Sequence, residues 1–368
     1  MNPYLKSFII SLIITAATTP LAIKIAPKIG AMDIPKDGRR VHSTPIPRFG
    51  GVVIFLGVAF SFLMLWPLRP QLLGILSAAF LIMLWGMVDD IKGLKPLIKF
   101  SGQAVCAIIL WAFSLQIRGM ANFLPFGPEY ISFSTPISLI VTIGWVVTII
   151  NCVNLIDGLD GLASGIVLIA CLTTAYIAIA RNIEETGIII LGIAGACTGF
   201  LIFNFNPAKI FMGDSGSMLL GLLLSSVALV GDTPTKGVTL FSLILPMIIM
   251  GLPLFDTVFA IVRRTINHKS FLEADKGHLH HRIMAMGFGQ RRSVLVLYCI
   301  SAILGVSGIL WTFKEKFESF TLMLIALTLI FIFLGFGIDK DDEIAKKEEA
   351  AGIDVGIHHN EVTENKDE

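Results

Sequence analysis

"PISLIVTIGWVVTIINCVNLIDGLDGLASGIVLIACLTTAYIAIA" runs from Pro136 to Ala180, and its two apolar stretches decide the fold class. Apolar runs of about eighteen residues with few charges are typical of membrane-spanning helices. Between the two runs, Asn151–Gly165 brings two asparagines and two aspartates into otherwise almost wholly apolar sequence. The stretch therefore predicts two membrane helices joined by a polar connection.

The whole chain has the composition of a polytopic membrane protein. Of its 368 residues, 55% are hydrophobic and 15% are charged, and the mean hydropathy is +0.81. A soluble domain carries roughly a quarter charged residues. We predict an all-α bundle of about eleven membrane helices, with ten as the alternative count. The apolar blocks are Phe8–Ile23, Gly51–Leu68, Leu72–Val88, Leu97–Leu115, Pro136–Ile150, Leu162–Ala180, Gly187–Phe203, Ser217–Val230, Val238–Val262, Ser293–Phe313 and Phe320–Ile338.

The distribution of basic residues predicts the orientation. With eleven spans, the loops on the side reached after the first span hold 17 Lys and Arg, and the opposite loops hold 7. Basic loops stay cytoplasmic, so the N-terminus is expected outside and the C-terminus inside. The first block could also be a signal-peptide core, but Lys24 and Lys28 after it favour an uncleaved span. Residues 1–338 form one predicted membrane domain, and 339–368 an acidic, disordered cytoplasmic tail.

Five polar clusters fall on the predicted cytoplasmic side, whereas the outer loops carry only scattered charges. Each cluster has a purely structural alternative: a solvated helix end, Asx capping, or a charged loop resting on lipid headgroups. Their shared side favours one common site. The clusters are "RRVHSTPIPRFGG" (Arg39–Gly51), "VDDIKG" (Val88–Gly93), "NCVNLIDGLDG" (Asn151–Gly161), "NFNPAKIFMGDSGS" (Asn204–Ser217) and "KGHLHHR" (Lys276–Arg282).

The spacing within the third cluster predicts a break in the helix. Asn151, Asn154, Asp157 and Asp160 follow one another at three-residue steps. On one straight helix each step turns the side chain by about 60°, so the four cannot share a face. The adjacent glycines suggest that one helix ends near Asn154 and another begins near Asp157. The carboxylates would then flank a helix N-terminus, which favours phosphate.

Three further features point to anionic chemistry near the membrane surface. Asp214 stands between Gly213 and Gly216 just before a span, with the ring of Phe211 nearby. Asp256 lies inside a predicted span, where acids are costly and usually functional. The three histidines of "GHLHHR" lack any nearby cysteine, which makes them a weak zinc signal.

The chemistry of these groups favours a divalent cation and a diphosphate. Clustered carboxylates suit Mg²⁺ or Mn²⁺, which prefer oxygen ligands. Glycine turns, helix N-termini, basic side chains and histidines suit phosphate oxygens. Such a site at a membrane surface fits transfer from a soluble, nucleotide-linked donor to a lipid acceptor.

In its motifs, the chain resembles the polyprenyl-phosphate N-acetylhexosamine-1-phosphate transferases. This family includes initiating enzymes of wall teichoic acid and O-antigen synthesis and the phospho-MurNAc-pentapeptide translocase. The resemblance extends from Phe8 to about Ile338 and is carried by "VDD", "NxxNxxDGxDGLA" and "GDSGS" in this order, with a His-rich loop after the ninth span.

The resemblance implies a role for each motif. Asp89 and Asp90 match an acidic pair needed for activity, and Asp214 matches a Mg²⁺ ligand. Asn154, Asp157 and Asp160 match a loop that helps to hold nucleotide and metal, and Phe211 stands where an aromatic ring faces uracil. The loop that contacts the donor phosphates is matched by His278, His280, His281 and Arg282.

These expectations define a specific hypothesis. The enzyme transfers GlcNAc-1-phosphate from UDP-GlcNAc to undecaprenyl phosphate at the cytoplasmic face of the plasma membrane, with Mg²⁺ and with Asp89, Asp90, Asp157, Asp160 and His278 as catalytic residues. The sequence "KGHLHHR" departs from the three consecutive histidines of the peptidoglycan branch, which favours the UDP-GlcNAc branch. Another UDP-N-acetylhexosamine or UDP-MurNAc-pentapeptide is the alternative donor, and a secondary transporter is the alternative class. No nucleic-acid partner is expected, and a homodimer is one assembly to test.

Overall fold

Eleven α-helices and two small antiparallel sheets make up the described part of the chain in a computed structural model. This part comprises residues 2–34, 44–121, 130–230, 251–252, 254–256, 258–259, 279–313 and 315–350, with side chains described only as far as 333. The helices are α1 (Pro3–Ile25), α2 (Gly50–Leu65), α3 (Pro70–Lys92), α4 (Pro96–Ala112), α5 (Thr135–Ile156), α6 (Leu162–Ala180), α7 (Glu184–Asn204), α8 (Gly213–Val230), α9 (Leu279–Ala285), α10 (Gln290–Thr312) and α11 (Lys316–Ala350). The strands are β1 (Met32–Asp33), paired with β2 (Ile46–Pro47), and β3 (Gly119–Ala121), paired with β4 (Tyr130–Ser132).

The helices identify a multi-pass membrane protein. Within the described residues, eight helices are long and apolar enough to cross a membrane, and α2 and α4 are shorter apolar helices. Ten of the eleven predicted blocks fall on these helices. Most of the ninth block, Val238–Val262, lies outside the described residues. The all-α membrane fold is therefore confirmed, while the count of eleven and the orientation of the termini stay predictions.

Several helix boundaries follow directly from local sequence. Proline occupies the first turn of α1, α3, α4 and α5, where its missing N–H costs no hydrogen bond. Gly93 ends α3 with a φ of 66°, a left-handed conformation that favours glycine. These signals set where the chain leaves the helices close to the polar clusters.

Small residues let the central helices approach one another closely. A Cβ on Gly221 of α8 would lie 2.5 Å from the Cα of Ile150 in α5, and one on Gly86 of α3 would lie 2.4 Å from the Cα of Ser215. Such contacts are typical of membrane helices, which associate by packing and not by excluding water. Helix α8 is the most enclosed of the eight spans, so it is surrounded by other helices along its length.

Two expectations about helix ends need correction. Helix α5 runs to Ile156 and α6 begins only at Leu162, so no helix begins near Asp157. The connection is a turn that closes at Gly161, whose φ is 77°. Helix α11 continues to Ala350, beyond the point where the disordered tail was predicted to start. The Lys, Glu and Ala residues of 340–350 have high helix propensity, which favours that extension.

Candidate functional site

The polar clusters meet at one end of the helix bundle. Helices α3 and α5 end there, α4 and α8 begin there, and the segment before α2 crosses the same end. Because neighbouring helices run in opposite directions, the end of one and the start of the next lie on the same side. Among the described residues, hydrogen bonds and ion pairs link side chains from the first four clusters.

Asp90 joins α3 to the start of α8. Its Oδ1 accepts a hydrogen bond from the backbone N of Asp214 at 2.7 Å, and its Oδ2 accepts one from the N of Ser215 at 3.1 Å. The Nε of Arg48 lies 3.2 Å from the same Oδ1. Asp90 therefore caps a helix N-terminus, where a negative charge is favoured. It also supplies the cap that the sequence had left as an alternative role for Asp214.

Asp214 is the residue on which the cluster converges. The Nδ2 of Asn154 donates to its Oδ1 at 2.6 Å and also to the Oγ of Ser217 at 2.8 Å. Its Oδ2 lies 3.4 Å from the Nζ of Lys99 and 3.9 Å from the Nη2 of Arg48. One carboxylate oxygen is thus fixed by an amide, and the other faces two cations.

Asp89 points away from Asp90, as expected for consecutive residues of a helix. Its Oδ1 accepts a hydrogen bond from the backbone N of Leu94 at 2.7 Å, and its Oδ2 forms an ion pair with Lys99. Only 1% of the Asp89 side chain is exposed. Lys99 therefore bridges two acids, the buried Asp89 and the more accessible Asp214.

Asp157, just after the end of α5, is held in a largely acidic environment. Burial, as the largest cause, together with nearby Asp214 and Asp90, raises the pKa of this carboxyl group to about 7, while Arg48 opposes the shift. The site accumulates more negative charge than its cations neutralise, which makes it receptive to a further cation.

Arg48 carries the compensating positive charge. Burial works to lower the pKa of its guanidinium, but the carboxylates around it raise the pKa above its ordinary value; they are Asp90, Asp214, Asp33 and Asp157. Arg48 lies in a backbone ladder with the segment before α8. In this ladder, Phe211 N donates to Pro47 O at 2.8 Å and Gly50 N donates to Phe211 O at 3.0 Å. The ladder fixes both Arg48 and Phe211 beside the acidic cluster.

Asp160 has a different environment from the other predicted acids. Its Oδ2 accepts hydrogen bonds from Asn206 Nδ2 at 2.9 Å and from Ala208 N at 3.0 Å. Asn206 in turn donates to Gln290 Oε1 at 2.7 Å, at the start of α10. Asp160 thus holds the loop between α7 and α8, and its catalytic role stays a prediction.

The fifth cluster is described only in part. His278 lies outside the described residues, as do the side chains of His280 and His281. The buried carboxylate of Asp256 accepts a hydrogen bond from Leu279 N at 2.9 Å, which fixes the start of α9. The guanidinium of Arg282, also buried, lies 5.8 Å from the ring centroid of Phe259. Phosphate contacts by these residues stay predictions.

Two residues of the acidic cluster were absent from the sequence-based set. Arg48 was visible only as one of several basic residues in the first cluster, and Lys99 lies within an otherwise apolar block. Their ion pairs with Asp90 and Asp89 join distant parts of the chain. A lysine in the first turn of an apolar helix soon after "VDD" is the one local signal that could have identified Lys99.

The site supplies hard oxygen donors, although the protein alone does not complete a metal site. Within the described ranges, no group of three or more His, Cys, Asp or Glu side chains is arranged to hold a metal ion. Mg²⁺ commonly uses one or two carboxylates and completes its shell with water and substrate phosphates. The partly exposed carboxylate of Asp214 is suited to such binding.

Comparison with known proteins defines the class to which this fold and site belong. Residues 72–232 match the family described as Glycosyl transferase family 4. A Bacillus subtilis (strain 168) protein named "Probable undecaprenyl-phosphate N-acetylglucosaminyl 1-phosphate transferase" is 40% identical over 327 residues, covering 89% of each chain. The chain therefore belongs to the polyprenyl-phosphate N-acetylhexosamine-1-phosphate transferases of glycosyl transferase family 4, and the resemblance seen in the motifs is confirmed.

Other relatives span two branches of this family. The decaprenyl-phosphate N-acetylglucosaminephosphotransferase of Mycolicibacterium smegmatis is 34% identical, with 87% of this chain and 85% of that protein covered. The phospho-N-acetylmuramoyl-pentapeptide-transferase of Pelotomaculum thermopropionicum is 30% identical, with 82% of this chain and 96% of that protein covered. The Bacillus subtilis and Mycolicibacterium smegmatis relatives are thus both named as phosphate transferases that use a polyprenyl phosphate.

Proposed function

We propose that this protein transfers GlcNAc-1-phosphate from UDP-GlcNAc to undecaprenyl phosphate and releases UMP, at the cytoplasmic face of the plasma membrane. The observation that carries the proposal is the convergence of Asp89, Asp90 and Asp214 with Arg48 and Lys99 at one end of a membrane helix bundle. The names of the relatives support the donor and the lipid acceptor. The product would initiate a cell-envelope polysaccharide.

The reaction is a substitution at phosphorus. An oxygen of the lipid phosphate forms a bond to the β-phosphorus of the donor. The bond from that phosphorus to the oxygen bridging the two phosphates breaks, and this oxygen leaves with UMP. Both substrates are anionic, so their approach requires charge neutralisation, which Lys99 and Arg48 can provide at the site. The acidic pair, Asp89 and Asp90, orients these two cations.

Asp214 would hold Mg²⁺ in this reaction, with Mn²⁺ as a substitute. A bound magnesium ion would neutralise the donor diphosphate and stabilise charge on the leaving UMP. Asn154 fixes the other oxygen of Asp214 through a 2.6 Å hydrogen bond. This arrangement leaves Oδ2, which faces Lys99 and Arg48, as the oxygen of Asp214 that is not held by an amide.

Removal of the Asn154 amide tests this arrangement. We expect Asn154→Ala to lower UMP release about 10- to 100-fold and to raise the Mg²⁺ concentration needed for half-maximal activity, because partners that orient a metal ligand have effects of this size. Asn2→Ala, at the N-cap of α1 on the opposite end of the bundle, provides the control. An unchanged Mg²⁺ requirement together with wild-type activity would contradict the orienting role.

The donor is tested by a UMP-release assay with purified protein in proteoliposomes. UDP-GlcNAc, UDP-GalNAc and UDP-MurNAc-pentapeptide are offered one at a time with undecaprenyl phosphate, with and without EDTA. We expect turnover with UDP-GlcNAc at least about tenfold above the others, since even small differences between substrates cost about tenfold or more in discrimination. EDTA should abolish it and added Mg²⁺ restore it. Transport of substrate without UMP release would instead support the transporter alternative.

A further inference from the structure

We propose that Arg48 is a phosphate-binding residue, which leaves Asp90 and Asp214 and contacts a substrate phosphate when the site is loaded. This inference rests on the proposed function and deepens it. Arg48 precedes residues 72–232, the part of the chain that matches the family. The two cations of the cluster, Lys99 and Arg48, differ in whether they can move without leaving a buried acid unpaired.

Lys99 must stay in its position to neutralise the buried carboxylate of Asp89. In the described part of the chain, Asp89 Oδ2 has no hydrogen-bond partner apart from its ion pair with the ammonium group of Lys99. This oxygen is buried, and 1% of the side chain is exposed. Removing the partner of a buried charge is strongly destabilising, because the remaining charge is uncompensated. Lys99 is therefore retained by Asp89.

Arg48 is in the opposite situation. If its guanidinium moves away, Asp90 keeps two backbone hydrogen bonds at the N-terminus of α8, from the N of Asp214 and the N of Ser215. Asp214 keeps the amide of Asn154 and the ammonium of Lys99. Neither of the two carboxylates that pair with Arg48, Asp90 and Asp214, loses its last partner. Arg48 is thus the cation whose departure costs the cluster least.

The position of Arg48 also suits a ligand. One third of its side chain, 33%, is exposed, against 1% for Asp90. Its backbone is fixed, because Arg48 N donates to Ala31 O at 2.9 Å and the flanking residues pair with Phe211. A fixed backbone with a partly exposed guanidinium allows the side chain to reorient without moving the fold. Its planar fork matches two phosphate oxygens at once.

Direct binding measurements with Arg48→Gln test the proposal. The dissociation constants of UDP-GlcNAc and of undecaprenyl phosphate are measured separately, each without the other substrate and in Mg²⁺. We expect one of them to rise about 10- to 100-fold, as for loss of a hydrogen-bonded charge pair, and the other to change less than about threefold. Weakened UDP-GlcNAc binding assigns the residue to the donor diphosphate, and weakened lipid binding assigns it to the acceptor phosphate.

Two further variants keep the result interpretable. Arg48→Lys keeps the charge but lacks the planar fork of the guanidinium, so it should recover part of the affinity lost in Arg48→Gln. If Arg48→Gln does not fold, Arg48→Lys decides the question alone. Weaker substrate binding by Arg48→Lys then supports the proposal, and wild-type binding overturns it. Arg69→Gln removes an arginine that pairs with Glu185 at the opposite end and should bind both substrates normally.

Two binding results would overturn the proposed role of Arg48. If Arg48→Gln folds and binds both substrates as the wild type does, Arg48 has only a structural role. If it weakens both equally, the site itself has been disturbed, and the proposal fails as well. Failure of the proposed function is distinguishable, because the wild-type protein would then bind no UDP-GlcNAc.

Discussion

We expect Asp214→Asn to abolish UMP release, with a loss of at least about 100-fold that excess Mg²⁺ does not restore. The substitution keeps the size of the side chain and an oxygen that can accept from Asn154. It removes the negative charge that faces Lys99 and Arg48 and that would hold the metal. Removing one preorganised electrostatic group typically costs 10²–10³-fold in rate, and a metal ligand is expected to reach at least that range.

The fold should survive this change. Asp90 supplies the cap of α8, and Asp89 and Asp90 keep their own cations. The unfolding temperature of Asp214→Asn should therefore remain within a few degrees of the wild type. Glu185→Gln, an acid-to-amide change in the exposed pair with Arg69, is the matched control and should release UMP normally. Turnover by Asp214→Asn within about threefold of wild type would exclude the metal-ligand role.

The membrane architecture could be predicted because it depends on local composition. A run such as Leu162–Ala180 must satisfy its backbone hydrogen bonds within the segment when it lies in lipid, and the sequence boundaries of α6 match those of the structure. The start of α8 was harder to predict from the sequence. The apolar block begins at Ser217, but the helix begins at Gly213. Its first turn is polar, and Asp90 accepts hydrogen bonds from the backbone N–H groups of that turn.

The acidic cluster could be predicted only as a set of motifs. Asp89, Asp90, Asn154 and Asp214 were identified because acids and amides are rare in apolar sequence. The cations that pair with them were missed, since nothing near Arg48 in the sequence indicates its partner in α3. Pairings between residues that are distant in sequence depend on how the helices pack, which residue patterns alone do not specify.

The polar connection between α5 and α6 shows a similar limit. The spacing from Asn154 to Asp160 correctly predicted a break, but not that its polar residues have different partners. Asn154 bonds Asp214, whereas Asp160 holds the loop through Asn206 and Ala208. The positive φ of Gly161, directly after Asp160, turns the chain into α6. One motif therefore contributes both to the acidic cluster and to the loop that frames it.

The geometry of the site depends on the close contact between α3 and α8. Gly86 lies one helical turn before Asp90 and faces the backbone of α8, where an added Cβ would lie 2.4 Å from Ser215 Cα and 2.5 Å from Ser215 N. These are backbone atoms, so no side-chain rotation relieves the overlap. The two helices must separate at the point where Asp90 binds the N-terminus of α8.

Gly86→Ala should therefore inactivate the enzyme although it changes no polar group. We expect a loss of about 1–3 kcal/mol in stability, as for overpacking in a dense interior, and a fall in UMP release of at least about tenfold in protein that remains folded, since small displacements of catalytic groups have large effects. Gly144→Ala in α5 is the matched control, because an added Cβ there meets nothing within 4 Å; it should be active and equally or more stable, as expected from helix propensity. Normal turnover by Gly86→Ala would mean that the contact between α3 and α8 does not set the catalytic geometry, and the placement of Asp90 would then have to depend on Arg48.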